Sequence, residues 1–166
     1  PETPDDDPRA TLALHDAGDF AAAALRLCDG AREQVRILPQ RADLRYLAGD
    51  AIVSALRTWL LGSRRARLQM LLPPDLGRDD LGRPLWDLAR RLTTSVAVHR
   101  LSDADAQLGE AWLTVDRHGY LHRLQADRLA GHASLLQPPR ARELDQRFDA
   151  LWLASEPDPD VRRLSL

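Results

Sequence analysis

Apolar residues recur at intervals of three and four along much of this 166-residue chain, a spacing typical of amphipathic helices. This pattern predicts four helices, the first capped by Asp19, over residues 19–31, 50–62, 82–92 and 138–155. Shorter stretches in which apolar and polar residues alternate predict strands at residues 34–39, 66–72 and 95–100. Helices and strands therefore alternate through most of the chain.

The stretch EAWLTVDRHGYLHRL, residues 110–124, predicts a strand, a tight turn at Arg117, His118 and Gly119, and a second strand. Three strands that are separated by helices imply right-handed crossovers and a parallel sheet. We therefore expect an α/β fold that has a mainly parallel sheet, flanking helices and one antiparallel hairpin.

Polar residues interrupt the predicted strands with a period of two, at Arg36, Arg67 and Gln69. Strands that are buried in a parallel sheet are usually continuous apolar runs. Two interpretations stay open. Either one face of the sheet is partly solvated or covered by a partner, or these long side chains carry their polar ends past the sheet into water.

The chain begins PETPDDDPRA, an acidic and proline-rich stretch with little apolar surface to bury. Composition divides the sequence into three segments: a linker over residues 1–18, one domain over residues 19–156 and a tail over residues 157–166. In the tail, Val161, Leu164 and Leu166 can pack against the domain. Because the first residue is proline and not methionine, we expect the chain to be part of a longer protein.

Charge and composition exclude several kinds of chemistry. The 23 basic and 25 acidic residues give a net charge of -2, so any contact with nucleic acid needs a local basic patch. All of these basic residues are arginines, and the chain contains no lysine. Lysine nucleophiles, Schiff bases and phosphate-loop lysines are therefore excluded, because arginine stays protonated at neutral pH.

The single cysteine, Cys28, excludes an internal disulfide and a zinc site made of several cysteines. It shares a helical stripe with Phe20, Ala24 and Leu27, so we expect a buried core thiol. No apolar run reaches the roughly 20 residues that a membrane-spanning helix needs, and no signal-like segment begins the chain. These features predict a cytoplasmic protein with no membrane span, and nothing in the sequence calls for a cofactor.

The predicted order of strand, helix, strand, helix, strand, hairpin and closing helix resembles one half of the phospholipase D fold. The segment ARELDQRFDALW is similar to the helix that ends phospholipase-D-like domains. In that superfamily two halves pack together to build one site. The resemblance therefore implies that a single half forms a homodimer.

The phospholipase motif consists of a histidine that attacks phosphorus, a lysine that binds the phosphate, and an aspartate at the end of the same strand. With the aspartate placed on Asp116, the histidine position falls on Gly109 and the lysine position on Ala111. RHGYLHRL replaces the small-residue and asparagine pattern that usually follows. Asp116 is thus the vestige of the motif, and the resemblance implies a fold without the superfamily's phosphodiester chemistry and without a catalytic residue.

Over most of its length, residues 20–164, the chain resembles more closely a phospholipase-D-like domain of unknown function from proteobacteria, which is sometimes found behind an acetyltransferase domain. EAWLTVD and RFDALWLASEPDP carry this resemblance. It implies a bacterial protein and no particular activity. No acetyltransferase motif occurs in the chain, so such a domain would precede Pro1.

Other kinds of site find little support in the residues. His118 and His122 stand four apart, but in a turn and a strand their rings should be too distant for one metal ion. The acidic loop LSDADAQLGE lacks the spacing and the central glycine of a calcium loop. No serine stands at a glycine-flanked elbow after a strand. The remaining catalytic alternative uses Asp116 with His118 or His122 as a general base, although Asp116 is more simply a residue that bonds to its own turn.

Polar residues stand where the parallel strands are predicted to end: Gln40, Arg41, His99 and Arg100. Sheets of α/β proteins usually bind ligands beyond the carboxyl ends of their strands, and the planar fork of arginine suits a phosphate or a carboxylate. These four residues are therefore a candidate anion pocket.

The apolar pattern of the predicted helices is intact, whereas the histidine and lysine of the phospholipase motif are missing. This combination favours a non-catalytic domain that binds its own copy or an upstream domain of the same protein. The alternative is a phosphate or nucleic-acid binding module. It would use the arginines at the strand ends, together with Arg64, Arg65 and Arg67 around the second strand.

Overall fold

The computed structural model describes residues 7–163, which build one eight-stranded mixed sheet. The strands in chain order are β1 Leu12–Leu14, β2 Gln34–Leu38, β3 Arg67–Leu72, β4 Val96–Arg100, β5 Ala111–Val115, β6 Gly119–Arg123, β7 Gly131–Ser134 and β8 Glu156–Pro157. Across the sheet their order is β1-β7-β6-β5-β2-β3-β4-β8. The central strand β2 thus lies between the hairpin strand β5 and the parallel neighbour β3.

Helices connect the strands and lie on both faces of the sheet. They are α1 Ala17–Asp29, α2 Leu44–Leu47, α3 Asp50–Gly62, α4 Arg78–Leu81, α5 Arg83–Arg91, α6 Pro138–Ala154 and α7 Pro159–Arg163, with short 3-10 helices at Arg41–Asp43 and Asp103–Asp105. The four predicted helices are confirmed as α1, α3, α5 and α6, with ends shifted by a few residues.

The predicted cap of the first helix is wrong by one turn. Asp16 is the N-cap of α1, and its carboxylate accepts the N–H of Asp19 at 2.8 Å. Asp19 in turn accepts the N–H of His15 at 2.8 Å. Both aspartates therefore serve the start of the helix as a reciprocal pair, an arrangement akin to a capping box.

The prediction of a mainly parallel sheet is also wrong. Only β2 with β3 and β3 with β4 pair in parallel, and the other five pairings in the described chain are antiparallel. The prediction of a parallel sheet considered only those strands that are connected by helices. It could not detect β1, β7 and β8, which have two to four residues and too few positions to show a period.

The sheet extends beyond both ends of the predicted domain. β1 falls within the predicted linker and pairs with β7, and β8 spans the predicted boundary between residues 156 and 157 and pairs with β4. Val161 packs into the core with 8% of its surface exposed, while Leu164 and Leu166 lie outside the described residues. No helix in residues 7–163 combines the length and the apolar character that a bilayer crossing requires.

The two faces of the sheet bury different cores. One face packs against α1, α3 and α5 around a large apolar cluster that includes Phe20 and Leu56. The other face packs against α6 around a smaller cluster of Trp112, Tyr120 and Phe148. The hairpin strands contribute to both clusters, because successive residues of a strand point to opposite faces.

Cys28 belongs to the larger core, with 1% of its surface exposed. Burial, with a smaller contribution from the charge of Asp29, raises the pKa of its thiol to about 12. The thiol therefore stays protonated at neutral pH, and the predicted core thiol is confirmed.

The polar residues that interrupt β2 and β3 lie mainly beneath α6. Arg36 donates from Nε to Gln69 Oε1 at 3.0 Å, and its guanidinium lies 3.5 Å from the carboxylate of Asp145 and 3.0 Å from that of Asp149. Arg67, at the start of β3, is exposed. A helix of the same chain therefore covers this face and supplies the charges that neutralise Arg36.

Candidate functional site

The turn between β5 and β6 is built by Asp116 and Arg117, whose φ angles of 52° and 64° both lie in the left-handed region. The N–H of His118 donates to the carbonyl of Val115 at 3.1 Å. Two consecutive residues with positive φ are the mark of a type I′ turn, whose twist matches that of the strands it joins. The turn thus begins one residue earlier than the sequence predicts.

The carboxylate of Asp116 anchors the segment that leads into β2. Its Oδ1 accepts the N–H groups of Glu33 and Gln34, and its Oδ2 accepts the N–H of Arg32, each at 2.8 Å. Both oxygens of the one recognisable motif residue are therefore engaged by backbone more than 80 positions away along the chain. The predicted bond to its own turn gives way to this long-range contact.

The two other motif positions lie at the opposite end of the hairpin and carry small side chains. Ala111 is 2% exposed and pairs with Arg123 on β6. A Cβ placed on Gly109 would lie 3.4 Å from the Cβ of Ala126, so space for a larger side chain is limited there. Neither position offers a group that can attack phosphorus or hold a phosphate.

A buried ion pair stands beside Ala111, the residue that the resemblance places at the lysine position. Arg123, only 1% exposed, donates from Nε and Nη2 to the two carboxylate oxygens of Asp43 at 2.8 and 2.7 Å. Asp43 is fully buried and also accepts the hydroxyl of Tyr46 at 2.8 Å and the N–H of Gln40 at 2.9 Å. The hydrogen bonds from Arg123 to Asp43 raise the pKa of the arginine further. The cation nearest the lysine position is therefore neutralised within the chain.

Glu110 joins the hairpin to α6 on the other face of the sheet. Arg147 donates to both oxygens of the Glu110 carboxylate, at 3.0 and 2.6 Å, and its guanidinium lies 4.7 Å above the ring of Trp112. His122 Nε2 lies 2.7 Å from Glu110 Oε2. The hydrogen bonds from Arg147 are the main reason that the pKa of Glu110 lies below its ordinary value.

His122 is 4% exposed and faces His132 on the next strand, with ring centroids 5.6 Å apart. His132 Nδ1 lies 2.9 Å from the hydroxyl of Tyr120. Burial lowers the pKa of both histidines, which favours their neutral form. A carboxylate-bound neutral imidazole can act as a base or a metal ligand. Within residues 7–163, however, no group of three or more His, Cys, Asp or Glu side chains is placed to hold a metal ion.

His118 and His122 make contacts at opposite ends of β6. His118 is the last residue of the turn, and its Nδ1 lies 3.3 Å from the carbonyl oxygen of Leu135, whereas His122 bonds to Glu110 near the start of β5. The prediction that one lies in a turn and the other on a strand is confirmed.

The predicted anion pocket is divided between internal contacts. Gln40 donates from Nε2 to the carbonyls of Leu108 and Glu110, at 2.6 and 3.0 Å. Arg41 pairs with Asp80 and lies 3.5 Å from the carboxylate of Asp75.

The other two residues of that predicted pocket lie at the end of β4. His99 stacks on Trp152 with ring centroids 3.7 Å apart, and its Nδ1 lies 2.7 Å from Ser155 Oγ. Arg100 lies 2.8 Å from the buried carboxylate of Asp158 and donates to the carbonyls of Pro74 and Leu76. All four predicted residues therefore stand at the carboxyl edge of the sheet, but their polar groups are engaged by the chain itself.

Sequence reasoning missed Asp43 with Arg123 and Glu110 with His122 and Arg147. Part of the signal lies in the hairpin itself, since three residues, 116–118, between the paired Val115 and Gly119 fix the pairing of Ala111 with Arg123 and of Trp112 with His122. Asp43 and Arg147 lie in segments that are distant from the hairpin in sequence. No local sequence pattern predicts their ion pairs with Arg123 and Glu110.

Comparison with known proteins gives one family and several similar folds. A family model described as a domain of unknown function, DUF7931, matches residues 16–164. A search of curated proteins finds no match. The structure of TrmBL2, an archaeal chromatin protein described as showing a novel mode of DNA binding, is similar at 12% identity and a TM-score of 0.67, over 91% of this chain and 55% of that one.

Two further structures match over nearly their whole length. Nuc, a phospholipase D family member from Salmonella typhimurium, has 13% identity and a TM-score of 0.56 over 90% of this chain and 97% of its own. NucT from Helicobacter pylori has 11% identity and a TM-score of 0.58 over 90% and 99%. At such identities the likeness concerns the fold alone. The chain therefore belongs to the DUF7931 family of domains of unknown function, and its fold is phospholipase-D-like.

Proposed function

We propose that this chain is a non-catalytic phospholipase-D-like domain that acts by binding a second copy of itself, as an accessory to another domain of the same protein. The observation that carries the proposal is the state of the motif. Gly109 and Ala111 stand at the histidine and lysine positions, and the neighbouring Arg123 is locked to Asp43. Covalent attack on phosphorus has no nucleophile there.

The charges at the carboxyl edge support a binding role. Arg41, Arg100, Arg123 and Arg147 each form an ion pair with a carboxylate of the same chain. A partner can cover these four arginines without leaving an uncompensated charge, which is the costly outcome at an interface.

The same edge exposes apolar side chains. Residues 124–130, which connect β6 to β7, are exposed throughout, and Leu124 and Leu129 keep 47% and 42% of their surfaces accessible. This loop adjoins Gly109 through Ala126. It therefore lies where two halves would meet, if this chain pairs as the phospholipase D resemblance implies.

The alternative function, anion binding by Gln40, Arg41, His99 and Arg100, has less support because their polar groups are bonded within the chain. A cytoplasmic location remains part of the proposal. The free, buried thiol of Cys28 accords with a reducing compartment.

Sedimentation velocity over a range of protein concentrations tests self-association. We expect a reversible dimer for the wild-type chain and a monomer for the double variant Leu124→Glu/Leu129→Glu. Leu61→Glu is the matched control, because Leu61 is 67% exposed at the end of α3, at the opposite edge of the sheet. A wild-type chain that stays monomeric at high concentration overturns the proposal.

Hydrolysis of an activated phosphodiester tests the non-catalytic part. We expect no turnover above the buffer rate. Turnover that disappears in His122→Gln, while the folded state is kept, would instead assign catalysis to the pair of Glu110 and His122.

A further inference from the structure

The edge of the sheet at the amino ends of β2, β3 and β4, opposite Gly109 and Ala111, carries a row of exposed arginines, which we call the basic edge. Its members come from the turns, the strand starts and the last turn of α5 near the amino ends of the parallel strands: Arg32, Arg64, Arg65, Arg67, Arg90, Arg91 and Arg117. All seven side chains are exposed. The feature is local, because the whole chain has a net charge of -2.

Sheet topology brings these residues together from distant parts of the sequence. Arg67 on β3 stands next to Gln34 at the start of β2, and Leu68 pairs with Val96 at the start of β4. The hairpin turn joins the same edge, since the N–H of Asp116 donates to the carbonyl of Gln34 at 2.9 Å. From β5 to β4 the row crosses three strand spacings of about 4.8 Å each, roughly 14 Å in all.

The basic edge differs from the carboxyl edge in how its charges are satisfied. None of its seven arginines forms an ion pair with a carboxylate in the part of the chain that the structure describes. Two exposed carboxylates, Asp29 and Glu33, lie in the adjoining segment before β2. Asp116 is there as well, but its oxygens are held by three backbone N–H groups. The edge therefore keeps a surplus of uncompensated positive charge.

Part of this edge is held in place. Arg67 donates from Nη1 to the carbonyls of Arg64 and Ala66, both at 2.8 Å, which ties its guanidinium to the turn that precedes β3. Hydroxyl groups flank the row at Ser63, Thr93 and Thr94. Arginine and hydroxyl side chains together are the groups that most often contact the phosphates and sugars of nucleic acids.

From these observations we infer that the basic edge binds the sugar-phosphate backbone of nucleic acid, without regard to sequence. A narrow row of charges matches a linear polyanion, and duplex DNA presents about one phosphate per 1.7 Å of its axis, roughly eight along this row. An anionic membrane would favour several exposed apolar side chains, and the only large one at this edge of the described structure is Leu61. This inference does not depend on the proposed self-association, which concerns the other edge.

Fluorescence anisotropy of a labelled DNA duplex of arbitrary sequence tests the inference. With four phosphates contacted, the logarithm of affinity should fall with the logarithm of salt concentration at a slope of about -3.6, which is about 150-fold weaker binding between about 50 mM and about 200 mM salt. In the double variant Arg64→Gln/Arg65→Gln the slope should be about -1.8, and the same change in salt should weaken binding only about 12-fold.

The matched control is Arg45→Gln/Arg83→Gln, which removes the same charge from exposed residues at the other edge and should keep the wild-type slope. Equal slopes for the two double variants, or no binding by the wild-type chain at the lower salt concentration, would falsify the inference. Tighter binding to phosphatidylserine vesicles or to polyglutamate than to DNA would replace nucleic acid by a membrane or an acidic protein. Sedimentation velocity of the same variants distinguishes a loss of nucleic-acid binding from a loss of self-association. The substitutions should leave self-association unchanged.

Discussion

Asp116 has a structural role in the described fold. In the phospholipase resemblance it marks the end of a catalytic strand, yet in this fold it binds the backbone that enters β2. Carboxylates that accept several backbone N–H groups form strong, charge-assisted hydrogen bonds. The residue therefore secures the central strand whether or not chemistry takes place at the other end of the hairpin.

Replacing Asp116 by alanine should lower the free energy of unfolding by about 2–3 kcal/mol. It removes three charge-assisted hydrogen bonds, only partly offset by water, and leaves alanine in a left-handed conformation that disfavours it. Urea unfolding followed by circular dichroism measures the change. Asp116→Asn is the control, because asparagine keeps one acceptor oxygen and tolerates positive φ, so its loss should be about half as large. A change below about 0.5 kcal/mol for the alanine variant would contradict this role.

At the scale of elements, the hairpin of β5 and β6 organises two charged groups on opposite faces of the sheet. On one face Arg123 meets Asp43 from the segment after β2, and on the other Glu110 meets Arg147 from α6. The hairpin is thus held on both sides by residues far from it in sequence. Both ion pairs lie at the end of the hairpin that contains Gly109 and Ala111.

The variant Asp43→Asn should lose about 3–5 kcal/mol of stability, since it leaves the buried guanidinium of Arg123 without a counter-charge. The double variant Asp43→Asn/Arg123→Met should be more stable than Asp43→Asn alone, because it removes the stranded charge as well. Thermal and urea unfolding of the three proteins measure both quantities. A double variant that is less stable than the single one would show that the arginine contributes mainly through its packing.

The sequence predicts the long helices well, because α1, α3, α5 and α6 each have enough turns for an apolar stripe to show. It does not predict β1, β7 or β8, where the strand is defined by its neighbours and not by its own pattern. The candidate site divides in the same way. Asp116 and the pairing of β5 with β6 can be predicted from the hairpin alone, whereas Asp43 and Arg147 reach the hairpin only through tertiary packing.

For the whole molecule, the two edges of the sheet have different electrostatic characters. At the carboxyl edge Arg41, Arg100, Arg123 and Arg147 form ion pairs within the chain, whereas the seven arginines of the basic edge form none within the described residues. The near-neutral net charge conceals this division. Surface charges of this kind govern association more than they govern folding, so the global stability should depend chiefly on buried groups.

Buried histidines should make the folded state sensitive to mild acid. Burial lowers the pKa of His99, His122 and His132 in the folded chain, so between their unfolded and folded values the unfolded state binds more protons. Stability should therefore fall as the pH drops from about 7.5 to about 5.5, before most carboxylates titrate. The measurement is the urea midpoint across this range. In His122→Gln the urea midpoint should change less with pH. The control is His15→Gln, at an exposed position, which should keep the wild-type pH dependence. A wild-type midpoint that does not change with pH would contradict this prediction.

The position of β2 has a consequence for the synthesis of the chain. One side of this strand pairs with β3, which follows soon after it, but the other side pairs with β5, near the final third of the sequence. Until residues 111–115 have left the ribosome, the middle of the future sheet is an open edge with unpaired backbone groups. The nascent protein is therefore most prone to aggregate during that interval, and the arrival of the hairpin with Asp116 closes it.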